Sequence, residues 1–385
     1  MRPLIIAFVL VWLAGALPRP LCADTQPSTA VDAPSDQEPT LKERFIDSLP
    51  PAVGDDLDID AWGWAGISQT NYENQRYYDA ELGLATTKSF EQRIAIGAQG
   101  NFIDANGTRR GELEQGYASI KLSDATQTLL TIGKFNANIG TEQRDFWNRT
   151  TATTSLLFAA KPQDLLGVMI TQPIGDSGLR VRAFLSEGFE SAYDFNQSPS
   201  AGVTAQYTPN RKLEFAATGW VGPGFVGYEG RHIQQPFSRA YGGSDGDVGA
   251  SVVENWEGPS LYAERGATLL FADGSCIIRP TSDLTLTGEC LVGTTGTDDD
   301  RFGWAGFLLM ANYDLTDQLH VYGRWSYLND SDMLITGAEQ RCQELSIGAG
   351  YRVFDGWELR GEYRHDFSNA TPDFDTVSAD LTFTY

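Results

Sequence analysis

The chain has 385 residues and a formal net charge of −23, with 41% hydrophobic and 21% charged residues. That charge argues against nucleic acid as a partner, and so many apolar residues exclude a disordered chain. Four cysteines are too few for a disulfide framework.

Arg2, the apolar run 4–17 (LIIAFVLVWLAGAL) and the following PRPLCA read as a secretory signal peptide. It is assigned to residues 1–23, with cleavage after Ala23 and a weaker alternative after Ala16. Cys22 follows Arg19, Pro20 and Leu21, where a lipid-attachment site wants small residues. Beyond the signal no apolar stretch reaches the ~18 residues of a transmembrane helix. Residues 24–56 are expected to be an acidic, flexible periplasmic leader, because 24–40 is Pro, Ser, Asp and Thr with nothing to bury. Within it Leu41, Phe45, Ile46 and Leu49 recur at helical spacing, giving a short amphipathic helix or a briefly ordered linker.

From Leu57 to the end, 57–385, the apolar period is two. Candidate strands are 57–70, 77–87, 92–103, 111–122, 126–136, 165–174, 178–187, 199–208, 212–221, 266–278, 284–294, 302–313, 318–328, 343–353, 357–367 and 376–385. These make sixteen strands, or fourteen if 77–87 and a partner drop out. Many reach ~10 residues, the length that crosses a bilayer when tilted, whereas soluble strands average about 5–6. Connections are expected to alternate between tight turns (SDA, IGD, PNR, PTSD, DLTD, FDG) and longer polar stretches at 137–164, 188–198, 222–265, 329–342 and 368–375. Short turns at one end and long loops at the other are the asymmetry of an outer-membrane barrel.

The faces agree. Leu345, Ile347, Ala349 and Tyr351 alternate with Glu344, Ser346 and Arg352, and Trp357, Leu359 and Tyr363 alternate with Glu358, Arg360, Glu362 and Arg364. The fold class predicted is all-β: a transmembrane antiparallel up-and-down β-barrel with an inward-folded loop. The chain ends SADLTFTY, in which Val377, Ala379, Leu381, Phe383 and Tyr385 share one face. A barrel has no free edge, so a last strand paired with the first explains a structured terminus. Phe383 and Tyr385 resemble the C-terminal signal read by the barrel assembly machinery.

The run from Gly133 to Val168 (GKFNANIGTEQRDFWNRTTATTSLLFAAKPQDLLGV) resembles the putative β-barrel porin-2 family of bacterial outer-membrane proteins. Gly133, Lys134 and Phe135, then Gly140 and Glu142, Asn148 and Arg149, and Phe158 stand at positions similar to those of the family. The cadences YDLTDQLHVYGRWSYLND and YRVFDGWELRGEYRHD are similar to its strand–turn–strand repeats. The resemblance implies a porin-like channel over most of 57–385. The acidic leader and the long 222–265 loop depart from the pattern.

Selectivity in such a channel comes from lumen charges and any loop folded inward. Expected pore-lining cations are Lys121, Lys134, Arg180, Arg182, Arg324, Arg352, Arg360 and Arg364. The acids are Glu81, Glu214, Glu289, Glu344, Glu358, Glu362 and Asp380. The two sets nearly balance, so little ion preference is expected. Alternatively Glu358, Arg360, Glu362 and Arg364 pair across strands and stiffen the wall. The loop 137–164, with Phe146, Trp147, Leu156, Leu157 and Phe158, is the constriction candidate. Its Glu142, Arg144, Asp145 and Arg149 would face the pore; packing over the rim or against a neighbouring subunit is the alternative.

No cofactor or metal site is expected: His232, His320 and His365 are far apart, and the acidic runs 244–249 and 297–301 lack calcium-loop spacing. No Ser is singled out beside a His, so the protein is read as no enzyme. Pairing 278 with 284 sets Cys276 opposite Leu286 and Cys290 opposite Ala272, too far apart for a disulfide; Cys342 stands alone.

The function expected is an outer-membrane porin of a Gram-negative bacterium, passing small hydrophilic solutes or ions by diffusion, with both termini in the periplasm. Its expected partners are outer-membrane lipid and lipopolysaccharide, the assembly machinery and, as candidate assembly, a homotrimer. The alternatives are a plugged barrel serving as anchor or surface receptor, and a secreted soluble β protein with loop sequons at Asn106, Asn148, Asn196, Asn329 and Asn369.

Overall fold

The computed structural model describes residues 57–71, 76–90, 93–105, 108–142, 149–187, 199–223, 268–296, 301–330, 332, 340–369 and 372–384. The expected signal peptide and leader (residues 1–56), most of the 222–265 loop, both acidic runs except Arg301, and Tyr385 lie outside the described residues.

Sixteen strands follow in chain order: β1 (Leu57–Thr70), β2 (Arg76–Phe90), β3 (Ile94–Ala105), β4 (Thr108–Ser123), β5 (Thr128–Asn136), β6 (Asp164–Pro173), β7 (Leu179–Ser186), β8 (Ser200–Asn210), β9 (Leu213–Pro223), β10 (Thr268–Ile278), β11 (Leu284–Gly296), β12 (Arg301–Asp314), β13 (Leu319–Asp330), β14 (Gln340–Phe354), β15 (Trp357–Ser368) and β16 (Phe374–Thr384). Each pairs antiparallel with its chain neighbours, and β1 pairs with β16 from Trp62↔Thr384 to Thr70↔Thr376. The sheet is therefore a closed barrel. All sixteen predicted strands are present, including the one at 77–87, so the fourteen-strand alternative falls.

Period two sorts the side chains. Phe102 and Ile347 on the outer face are each 65% exposed, whereas Arg324, Glu344 and Arg364 on the inner face are buried. A ring of exposed Leu, Ile, Val and aromatic side chains is what hydrocarbon selects. A bulge in β4 opposite Gln99 turns both Glu114 and Gln115 inward, where each is hydrogen-bonded to Gln99.

Three details of the sequence reading change. The alternation of short and long connections is not strict, because β3 and β4 pair down to Ala105↔Thr108 at the long-loop end. Asn329, taken for a loop, is paired with Arg341. Cys276 stands opposite Gly288 and Cys290 opposite Gly274, a register two residues from the one expected; both cysteines and Cys342 are free. The slip arises because Arg279 to Asp283 form a wider turn, with Ile278 paired to Leu286. A shift of two leaves every side chain on its own face.

The outer face yields a direct test. Placing a charge there by Ile347→Arg is expected to cost about 2–4 kcal/mol if the residue lies near the bilayer midplane. Guanidinium unfolding of the lipid-reconstituted barrel measures it; an unchanged midpoint would remove Ile347 from the hydrocarbon.

Candidate functional site

The segment 137–163 leaves β5 and re-enters the wall at β6, and its base is closed by Ala137 N–H donating to Gln163 O at 2.8 Å. Gly140, at φ 75°, turns the chain inward; a Cβ there would collide with Lys161 Nζ and the Glu289 carboxylate. Its described parts, 137–142 and 149–163, lie inside the barrel, as the sequence suggested, and are held on two sides of different chemistry.

Its apolar side is Ile139, Leu156, Leu157 and Ala160. These pack into one cluster with Phe135, Leu165, Phe184, Trp220, Leu269, Phe271, Leu291, Trp304, Leu308, Leu328 and Cys342 of the inner wall. Burying each leucine contributes about 1.5–3 kcal/mol. Trp304 Nε1 also donates to Ala160 O at 3.1 Å, which satisfies the indole in an otherwise apolar setting. The interior is thus a dry core where β7–β14 approach the long-loop end.

The polar side is the run 149–155 (RTTATTS), lying against β13–β16. Arg324 is the centre. Its Nε donates to Glu344 at 2.6 Å and its other nitrogens reach Thr153 O at 2.5 Å, Thr154 O at 3.2 Å and the Thr151 hydroxyl at 3.1 Å. Glu142 and Glu362 stand 3.4 Å from the same guanidinium. Arg364 donates to Thr154 O at 2.7 Å and forms a bidentate pair with Asp366. Arg360 is paired with Asp380, directly opposite in the β15–β16 ladder, and donates to Arg149 O at 2.5 Å. The Tyr322 hydroxyl accepts from Ala152 N–H and donates to Glu362 at 2.8 Å. Three arginines therefore donate to buried loop carbonyls.

A third anchor lies on β11. Glu289 accepts from Lys161 Nζ at 2.5 Å and from the Thr141 amide and hydroxyl at 2.6 Å each. Burial opposes the Lys161 charge, but Glu289, Glu142 and Asp273 around it hold its pKa above the ordinary lysine value.

What the loop leaves open is a cavity of about 310 Å³ between its edge (Asn136 to Glu142, Pro162, Gln163) and the wall of β7–β10. Arg180, Arg182, Thr204, Gln206, Glu214 and Ser275 face it. A second cavity of about 220 Å³ shares Arg180 and Gln206 and is bounded by the turn at Gly175–Gly178. The two are consecutive compartments running towards the short-turn end.

The expected pore-lining residues separate accordingly. Arg180 and Arg182 line the opening. Lys121 faces inward 3.6 Å from Asp124, Arg352 donates to Asp317 O at 3.1 Å, and Glu358 lies 3.8 Å from His320. Arg324, Arg360, Arg364, Glu344 and Glu362 face inward but are buried and bind the loop or one another, so they do not line water. Pairing, the alternative reading, describes Arg360 and Arg364. Lys134 is a correction. Buried Thr131 and Phe135 set the inner face of β5, so Lys134 lies on the outer face with exposed Ile132. Its ammonium reaches Leu113 O at 3.0 Å and Asp164 at 3.4 Å. In the loop, Glu142 is held by Arg324 and Ser155, and Arg149 is buried with its guanidinium 4.7 Å from the Phe158 ring centre. Arg144 and Asp145 lie outside the described residues. Tyr322, Ser326 and the threonine run were missed; the density of hydroxyls in TTATTS was the available signal.

A family model described as putative beta-barrel porin-2, OmpL-like, matches residues 79–384. No curated protein matches the chain. Among solved structures, the anion-selective porin from Comamonas acidovorans is 9% identical with a TM-score of 0.58, over 86% of this chain and 100% of that one. OmpT of Vibrio cholerae, folded in vitro and in its trimer form, is 11% identical with a TM-score of 0.56, over 86% and 100%. The outer membrane channel DcaP of Acinetobacter baumannii is 9% identical with a TM-score of 0.55, over 86% and 97%. At these identities the likeness is one of fold.

The anchor predicts its own failure. Arg324→Met removes the cation that Glu142 and Glu362 share and leaves Glu344 with Arg364 alone, and is expected to cost about 3–5 kcal/mol. Trypsin should then cut after Arg149, a site protected in the parent; continued protection with an unchanged guanidinium midpoint would dismiss Arg324 as the anchor.

Proposed function

Because this chain belongs to the putative β-barrel porin-2, OmpL-like family, we propose that it is an outer-membrane porin, a water-filled channel passing small hydrophilic solutes or ions by diffusion. The observation that carries the reading is the polar opening along β7–β10, beside a loop pinned to the opposite wall. Sixteen strands enclose more space than side chains alone fill, and here one loop narrows it. The task is passage, and no catalytic step is assigned. Leu57 and Thr384 share the short-turn end, which we place in the periplasm, with Phe383 stacked on Trp357 at 4.9 Å as part of the assembly signal. The long loops then face outward among lipopolysaccharide.

The homotrimer is also part of this proposal. The outer face of β4–β7 exposes only aliphatic side chains among its large hydrophobics (Leu113, Leu122, Ile132, Val168, Ile170, Leu185), whereas Trp, Tyr or Phe stand exposed on β2, β3 and β13–β15. An aromatic girdle is wanted where the wall meets lipid headgroups. The same sector carries the Lys134–Asp164 pair, costly against lipid and better placed against another copy. β10 and β11 also lack outer aromatics but carry no such pair.

Two measurements test this. In a planar bilayer the refolded protein is expected to give steady single-channel current; silence from a correctly folded barrel would point to a plugged anchor or receptor. In analytical ultracentrifugation the parent should sediment as a trimer, Ile132→Arg as a monomer and Ile347→Arg still as a trimer. A monomeric parent ends the trimer proposal.

A further inference from the structure

The inward-facing cations differ in one respect that bears on what passes. Arg324, Arg360, Arg364 and Lys161 each have a carboxylate partner within ion-pairing distance. Arg180 and Arg182 have none among the described residues, and both line the opening. They stand two positions apart on one face of β7, about 7 Å at strand rise. Arg182 donates a hydrogen bond to Gln206 Oε1 at 3.3 Å, and Gln206 in turn donates to Glu214 at 2.8 Å. Arg180 belongs to both cavities and Arg182 to the inner one alone. An entering anion would therefore meet first one guanidinium and then a second.

We propose that Arg180 and Arg182 form a binding site for a small, singly charged, hydroxylated carboxylate. The inference rests on the channel reading only for the ligand's route; the site itself rests on the cavity. A guanidinium fork matches a carboxylate in two parallel hydrogen bonds. The rest of the lining, Asn138, Gln163, Thr204, Gln206 and Ser275, is amide and hydroxyl, groups that both donate and accept and so match alcohols on the ligand. Glu214 sits in the same lining and repels a second negative charge, which disfavours a dianion such as phosphate. A volume of about 310 Å³ is at the small end for a ligand site, suited to a short polyol acid.

The test is calorimetric titration of the full chain, folded in detergent, with gluconate, glucose and inorganic phosphate as probes. Gluconate is expected to bind about tenfold more tightly than either of the others, and Arg180→Gln/Arg182→Gln to lose about tenfold or more, the scale of one or two charged hydrogen bonds. Glu214→Gln should bring phosphate up towards gluconate. In bilayers under a salt gradient, the parent should favour chloride over potassium and the double variant should not. Equal binding of phosphate and gluconate would reduce the site to a bare anion trap and overturn the hydroxylated ligand. Gluconate binding that is absent, or unchanged in the double variant, would overturn the site altogether. Binding without current would sink the channel and leave the site standing, and current without binding would do the reverse.

Discussion

A backbone amide in hydrocarbon has no water to turn to, so a sheet that crosses a bilayer must leave no edge. The β1–β16 seam meets that demand with an unbroken ladder from Trp62↔Thr384 to Thr70↔Thr376. Much else follows from closure. The ring fixes an inside and an outside, the two-residue period assigns every strand side chain to one of them, and the final strand becomes part of the wall.

Closure also creates the interior problem that the loop solves. The loop brings its own backbone groups and charges to a place with little water, where an unpaired one is costly. Two solutions divide the work by location. Leu156 and Leu157 enter an apolar core built by Phe184, Trp220, Phe271 and Trp304, while the threonine run is met by Arg324, Arg360 and Arg364, each already tied to a carboxylate. The carboxylates keep the arginines charged and oriented, and the arginines bond the loop carbonyls. Arg324 and Arg364 share Glu344, and Arg324 also meets Glu142 and Glu362, so the anchoring acts as a unit.

Most of the fold was legible because period two is a local signal. The β10–β11 register slipped by two residues without harm, since such a slip returns each side chain to the same face. The misplacement of Lys134 has a different cause. Lys134, a charged residue, was read as facing the lumen, a rule that holds where the interior is wet. Here the interior near the long-loop end is a hydrophobic core, and the rule inverts: Phe135, Phe184, Trp220, Phe271 and Trp304 all point inward. The candidate site was legible only in part for the same reason. Strand alternation puts Arg324 and Glu344 on the inner face, but whether that face meets water depends on contacts with residues some 170 positions away, which no local pattern records.

Counting charges therefore misleads about what a passing solute experiences. Eight cations against seven acids suggests a neutral lumen, but the loop takes up Arg324, Arg360 and Arg364, Lys134 turns outward, and the cavity beside the loop is lined by Arg180, Arg182 and Glu214. The same anchors that immobilise the loop on β11–β16 also decide which wall stays bare. Because one part of the inner wall is committed to holding the loop, the polar cavity is left against β7–β10 on the short-turn side of the apolar core, and the side chains of those strands, more than the composition of the barrel, set its electrostatics.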